Sequence, residues 1–140
     1  MASTAYDSFL DDLSKGSIDM DTDTFKVMLV TSSYTEDKAA HTKRSDITSE
    51  VSGTGYTAGG ATLVPTVTKD TTNHRTTLTF PQVTWPSSTI TARKAVVYKS
   101  RGGASSADEL VFVNDFGADV TTSNGTFTLN ASTIHLNTPA

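Results

Sequence analysis

The sequence predicts an all-β fold, a β-sandwich with a short N-terminal helix. About seven or eight short apolar runs are separated by turn signals, which is typical of sandwiches. The 140 residues include 26 threonines and 16 serines, and β-branched threonine suits a pleated strand. Polar and apolar residues alternate around Leu78 and Phe80. Jelly-roll and immunoglobulin-like topologies share this pattern, so both remain open.

The first 16 residues are predicted to be a helical segment. Four apolar residues recur at the helical spacing i, i+3, i+4, i+7. They are Tyr6, Phe9, Leu10 and Leu13. We expect Ser3 or Thr4 to cap the start and Gly16 to end the helix in a left-handed conformation. The apolar stripe is expected to cover the protein's own sheet, with a neighbouring subunit as the alternative.

The sandwich is predicted to span residues 25–136. Its strands are expected at residues 25–31, 62–69, 76–85, 90–99, 110–116, 126–130 and 133–136. The first run is apolar on both faces, which indicates a central strand. Pro65 indicates an edge strand or a bulge, and Pro81 marks a change of alternation phase. The expected core comprises Phe25, Val27, Leu29, Leu78, Phe80, Val97, Phe112 and Phe127.

A long polar loop, residues 32–60, interrupts the strand pattern. A loop of this length in one 140-residue domain is usually functional or mobile. A short helix is expected at residues 43–50. The loop contains a basic group, formed by Lys38, His41, Lys43 and Arg44. This group is either a solvated face or a docking patch for an acidic partner, and both interpretations stay open.

Composition weighs against several classes of partner. The net charge of −4 argues against nucleic acid, whose phosphates need clustered cations. No apolar stretch approaches the roughly 20 residues of a membrane helix. There is no cysteine, hence no disulfide framework and no thiolate ligand or nucleophile.

No motif for catalysis, metal or cofactor binding emerges. The acidic run that begins at Asp19 resembles a calcium loop, but Thr24 and Val30 stand where Gly and a carboxylate are needed. Gly55 and Gly60 are spaced as in a phosphate-binding loop, but the lysine is missing. The three histidines lack ligand spacing. We therefore expect no cofactor, no metal and no enzymatic activity.

Short stretches throughout the chain, densest before Gly60, carry a resemblance to one known family. They are residues 6–9 (YDSF), 15–19 (KGSID), 23–30 (DTFKVMLV), 31–35 (TSSYT), 50–56 (EVSGTGY), 83–85 (VTW), 95–98 (AVVY) and 125–128 (GTFT). In these stretches the chain resembles the capsid cement, or decoration, proteins of tailed bacteriophages.

The resemblance implies a sandwich of the jelly-roll type. It also implies a homodimer that lies on the outer surface of the virion capsid and bridges subunits of the major capsid protein. Such a protein is made in the cytoplasm of the bacterial host. The alternative is a carbohydrate- or receptor-binding sandwich of a phage particle, for which Trp85 and a few tyrosines could supply the aromatic platform. A small hydrolase is disfavoured, because no spacing of nucleophile and base is present.

Contacts to the capsid are expected in the loop of residues 32–60. The reasons are its length, aromatic side chains that we expect to be exposed, and its basic group in an acidic chain. The capsid-contact candidates are Tyr34, Lys43, Arg44 and Tyr56.

Overall fold

The computed structural model describes residues 2–139, which form ten β-strands and one α-helix. The helix α1 is Asp7–Ser14. The strands are β1 Ala2–Ala5, β2 Phe25–Val30, β3 Ala61–Leu63, β4 Thr66–Asp70, β5 Arg75–Phe80, β6 Val83–Ser88, β7 Thr91–Lys99, β8 Leu110–Thr121, β9 Gly125–Leu129 and β10 Ser132–Asn137.

The strands form three antiparallel sheets, consistent with an all-β sandwich. The largest has the order β1-β8-β7-β2-β3, the second β10-β5-β4, and the third β6-β9. The most apolar runs occupy the central positions of the large sheet, where β2, most of β7 and the first five residues of β8 are covered on both faces.

The main core lies between one face of the five-stranded sheet and the two smaller sheets. Phe80 of β5 meets Phe112 of β8 with ring centroids 4.6 Å apart. Trp85 of β6 meets Phe127 of β9 edge to face at 5.9 Å. The predicted core is confirmed, because all eight residues are buried.

The first part of the loop of residues 32–60, which contains Tyr34 and Ile47, covers the opposite face of the five-stranded sheet, whereas Val51 and Tyr56 pack with the main core. A second apolar cluster fills the space beneath this first part. Its buried members are Tyr6, Met28, Val30, Tyr34, Val96, Tyr98, Leu110 and Val113. The first part of the loop is therefore a third layer of the fold. The helix expected at residues 43–50 is not formed, and a single 3₁₀ turn, Arg44–Asp46, takes its place.

The N-terminal segment differs from the prediction of a helix over residues 1–16. Residues 2–5 form β1, which pairs with β8, and the helix begins only at Asp7. Ser3 is not a cap, since its hydroxyl donates to the Asn114 side chain. Gly16 follows the helix with φ of +77°, as predicted. Phe9 is buried, whereas Leu10 is 55% exposed.

Each of two predicted strands is divided in the structure into two strands, which belong to different sheets. Residues 62–69 divide at Pro65 into β3 and β4, and residues 76–85 divide at Pro81 into β5 and β6. Proline lacks the N–H that a sheet ladder needs, so the chain leaves one sheet there and enters another. β8 extends to Thr121, five residues beyond the expected end at residue 116.

Candidate binding surfaces

Tyr34 lies at the base of the loop and is 1% exposed. Its hydroxyl is 2.8 Å from the Tyr6 hydroxyl and 2.9 Å from His41 Nδ1. His41 Nδ1 also accepts the Asp37 N–H, so it is an acceptor and Tyr34 donates to it. The expectation that this tyrosine is exposed is wrong. The partners that bury it come from distant parts of the chain.

A buried lysine binds the part of the loop around Tyr34. Lys94 of β7 donates to the Tyr34 carbonyl oxygen at 3.0 Å and forms an ion pair with Glu36. Its Nζ also lies 5.8 Å from the centre of the Tyr34 ring. Burying an ammonium is costly unless it is paired and hydrogen-bonded, and both conditions are met here.

Arg44 and Lys43 pair with two adjacent buried carboxylates. Arg44 Nε donates to Asp108 at 2.8 Å, and its guanidinium lies 5.1 Å from the Tyr98 ring centre. Lys43 Nζ is 3.5 Å from Glu109. The Arg44 side chain is 23% exposed and that of Lys43 is 36% exposed. Of this pair, Lys43 presents the larger surface to a partner.

Glu109 belongs to an ion network that joins Lys43 of the loop to Arg101, whose guanidinium also donates to the Ser17 carbonyl oxygen at 3.3 Å. Arg101 donates twice to the Glu109 carboxylate, with the shortest distance 2.6 Å. Burial alone acts to raise the pKa of Glu109, but the Arg101 guanidinium and Lys43 hold it below its usual value. Nearby, Lys99 pairs with Asp23 at 2.7 Å. The basic group found in the sequence is therefore largely neutralised within the molecule.

Tyr56 lies at the other end of the loop and is partly buried. Its hydroxyl donates to Glu50 at 2.7 Å and accepts the Leu29 N–H at 3.0 Å. The Glu50 carboxylate also accepts the Gly59 N–H at 2.7 Å. Tyr56 thus links the loop to β2. The four sequence-predicted candidates serve to fix the loop, and they do not form one exposed patch.

A different surface stands out on the three-stranded sheet. Leu78 and Phe80 point into the core, so Thr77 and Thr79 point outward. The register places Thr79 between Thr66 of β4 and Thr133 of β10. The next row places Thr77 between Thr68 and His135. We call this set the threonine face; it comprises Thr66, Thr68, Thr77, Thr79, Thr133 and His135.

The threonine face is closely spaced and carries no formal charge. Adjacent strands are about 4.7–4.9 Å apart, so side chains in one row touch. The Thr77 hydroxyl lies 3.2 Å from His135 Nδ1. The repeated Thr-x-Thr of residues 66–68 and 77–79 is visible in the sequence. The pairing that brings the repeats together is not visible, because it joins strands far apart in the chain.

Charge is distributed unevenly between the sheets. The strands β4, β5, β6, β9 and β10 contain just three charged residues, Lys69, Asp70 and Arg75. The whole chain has 11 basic and 15 acidic residues. Asp70 and Arg75 also lie 3.5 Å apart and pair with each other. One side of the molecule is therefore hydroxyl-rich and nearly uncharged.

Trp85, one of the aromatic residues on which the carbohydrate alternative relies, is not exposed. Trp85 is 5% exposed and packs between Phe127 and Tyr56. Sugar recognition by stacking needs an accessible ring face, which this residue does not offer. Among residues 2–139, no three His, Cys, Asp or Glu side chains are grouped as a metal site requires. None of the helices in that part of the chain is long and apolar enough to span a membrane.

Comparison with protein-family models, with curated proteins and with solved structures gives no match.

Proposed function

We propose that this protein is a structural component of a phage virion that binds the outside of the assembled capsid as a homodimer. It stabilises the shell by bridging subunits of the major capsid protein. The sequence resemblance to cement proteins supports this function. A jelly-roll topology belongs to the same proposal. It is supported by the path of the chain, which leaves the five-stranded sheet after β3, returns at β7 and leaves again after β8.

The observation that carries the proposal is the threonine face on the uncharged side of the molecule. Burying a charge in an interface is expensive unless it is paired, whereas a hydroxyl can exchange water for a hydrogen bond on the partner. The cores of protein interfaces are accordingly depleted in charged residues. A flat hydroxyl surface can remain hydrated in the free protein and still be covered on a shell.

The proposed mechanism requires binding and no chemical step. A ligand that binds the assembled shell, and not loose subunits, stabilises the shell by about 2.7 kcal/mol per site at a hundredfold excess over Kd. A dimer bound to two neighbouring subunits forms its second contact at high effective concentration. Bridging therefore increases both the retention of the dimer on the head and the stability of the shell.

The test compares heads assembled without the protein and then incubated with variants. Thr66→Lys with Thr68→Lys places two lysines on the threonine face. Thr35→Lys with Thr57→Lys adds the same charge at exposed positions of the loop. We expect the first variant to lose at least tenfold in affinity for heads, and the second to bind like the wild type. Co-sedimentation with heads and the temperature of DNA release are the two readouts.

Three results would contradict parts of this proposal. If wild-type protein does not co-sediment with heads, or if decorated heads release DNA at the same temperature as bare heads, the cement function is wrong. If the loop variant loses binding and the threonine-face variant does not, the docking face is wrong. Lys43→Ala tests the sequence-predicted loop contact separately, because this side chain can be removed without leaving Asp108 unpaired.

A further inference from the structure

The two edges of the three-stranded sheet differ in their protection against pairing. β4 follows Pro65 and carries Lys69, which is exposed. Proline and lysine on an edge strand are common devices that keep edge strands from pairing. β10 is six residues long, and its sequence STIHLN contains neither proline nor a formally charged residue. Within residues 2–139, no strand pairs with its outer edge.

An apolar groove runs beside the unprotected edge. It lies between α1 and β10 and is lined by Leu10, Leu13 and Leu136. Leu10 is 55% exposed although it belongs to the apolar stripe of the helix. Ile134 and Leu136 are half-buried on the core side of β10. An additional strand on this edge would cover all of these side chains.

We propose that the partner on this edge is a second copy of the chain, with β10 pairing antiparallel to β10 across a two-fold axis at His135. The inference refines the homodimer of the proposed function by naming its interface. An isologous pair needs a self-complementary strand. In this register Ile134 lies opposite Leu136 of the second copy, and Thr133 lies opposite Asn137 of the second copy.

The chemistry of β10 selects this register. The two-fold axis produces two Ile134–Leu136 pairs. They extend the core side of the sheet, where cross-strand apolar pairs contribute most. The Thr133–Asn137 pairs lie on the solvent side, where hydroxyl and amide can hydrogen-bond. A slip of two residues toward the N-terminus would instead place Ser132 opposite Leu136 and leave a single apolar pair, between the two copies of Ile134. No formally charged residues oppose one another.

Pairing through β10 produces one continuous six-stranded sheet. The order becomes β4-β5-β10 followed by β10-β5-β4 of the second copy. The two threonine faces then lie side by side on the same surface of that sheet. The dimer thereby doubles the uncharged area that the proposed function assigns to docking, and it leaves only the β4 edges of the sheet unpaired.

Three other edge strands lack charge and proline: β1 and β3, which have only four and three residues, and β9, Gly125–Leu129. We compare β10 with β9, the longest of the three. The groove next to β9, lined by Phe116 and Val120, has a volume of about 200 Å³, whereas the groove beside β10 has a volume of about 580 Å³. The edge of β10 is therefore the better candidate. β9 and β4 serve as the alternatives that the experiment distinguishes.

The absence of cysteine makes single-cysteine crosslinking a direct test. The two His135 Cα atoms in an antiparallel pair are about 4.5–5.5 Å apart, within the range of about 4.4–6.8 Å that a disulfide spans. His135→Cys is thus expected to give a covalent dimer under mild oxidation. The controls are Thr68→Cys on β4 and Thr128→Cys on β9, both at exposed positions. Random collisions would link all three variants equally.

A paired-cysteine variant checks the register. Thr133→Cys and Asn137→Cys are expected to stay monomeric alone on non-reducing gels and to link when both are present in one chain. Sedimentation of the wild type is expected to show a dimer at micromolar concentration. A dimer that links through Thr68→Cys or Thr128→Cys but not through His135→Cys overturns this interface and leaves the homodimer intact.

Two further outcomes separate this inference from the proposed function. A wild-type protein that sediments as a monomer at all concentrations overturns both the interface and the homodimer. A dimer that links at His135→Cys but fails to bind heads supports the interface and overturns the cement function. Equal linking of all three single-cysteine variants also counts against the interface.

Discussion

Phe80 joins the two larger sheets at a single contact. Its ring is 2% exposed and lies 4.6 Å from that of Phe112. Such aromatic pairs add to the free energy of burial.

Phe80→Ala is expected to lower the free energy of unfolding by about 3–5 kcal/mol, through lost burial and the cavity left behind. Chemical denaturation followed by tryptophan fluorescence measures the change. Val64→Ala is the control, since Val64 is 74% exposed and exposed substitutions usually stay within about 0.5 kcal/mol. Equal losses for the two variants would contradict the assignment of Phe80 to the core.

Three of the four tyrosines of the chain are buried and Tyr56 is partly buried, which has a consequence for stability at alkaline pH. Burial raises the pKa of Tyr34 and of Tyr98 to about 12. Burial, followed by hydrogen bonding, raises the pKa of Tyr6 and Tyr56 as well. In the unfolded chain a tyrosine titrates near pH 10. The folded state therefore retains protons that the unfolded state has lost.

The expected result is a loss of stability as pH rises above about 10. The contribution of Tyr34 and Tyr98 is fully present below the unfolded pKa and disappears as pH rises through about 12. Tyrosinate absorbance should stay flat near pH 10 in the native protein and rise together with unfolding. A tyrosine that ionises near pH 10 while the fold remains intact would contradict this prediction.

At the scale of elements, the main feature is the loop of residues 32–60, the first part of which is held as a layer against the sheet. Gly60, at its end, has a φ of +83°, and a Cβ there would lie 1.8 Å from the Val27 carbonyl oxygen. Only glycine permits both the left-handed backbone and the close approach. The loop can therefore lead directly into β3, which pairs with β2 at Val27.

Gly60→Ala is expected to destabilise the fold by more than about 2 kcal/mol, through backbone strain and the clash with β2. Gly102→Ala is a matched control, because Gly102 has a φ of +79° but a Cβ added there would meet no atom within 4 Å. The control should cost only the strain, about 1 kcal/mol. Thermal unfolding measures both variants. A similar loss for the two would show that the contact with Val27 is not the cause.

The sequence predicted most elements because their signals are local. The run that became β2 is apolar on both faces, and the alternation around Leu78 identified the core side of β5. The path of the chain at Pro65 and Pro81 could not be predicted, since a missing N–H is equally compatible with a bulge, an edge and a change of sheet. Tyr34 was misjudged because its sequence neighbours are polar, whereas its burial depends on Tyr6 and Lys94.

At the scale of the whole molecule, the uneven distribution of charged residues affects how decorated heads behave in suspension. The strands of the three-stranded and two-stranded sheets contain one acidic and two basic residues. The rest of the chain therefore contains 14 acidic and nine basic residues. A protein docked through the threonine face would turn this excess of negative charge outward. Decorated heads would then move faster toward the anode than bare heads and would repel one another in dilute buffer, with salt weakening both effects.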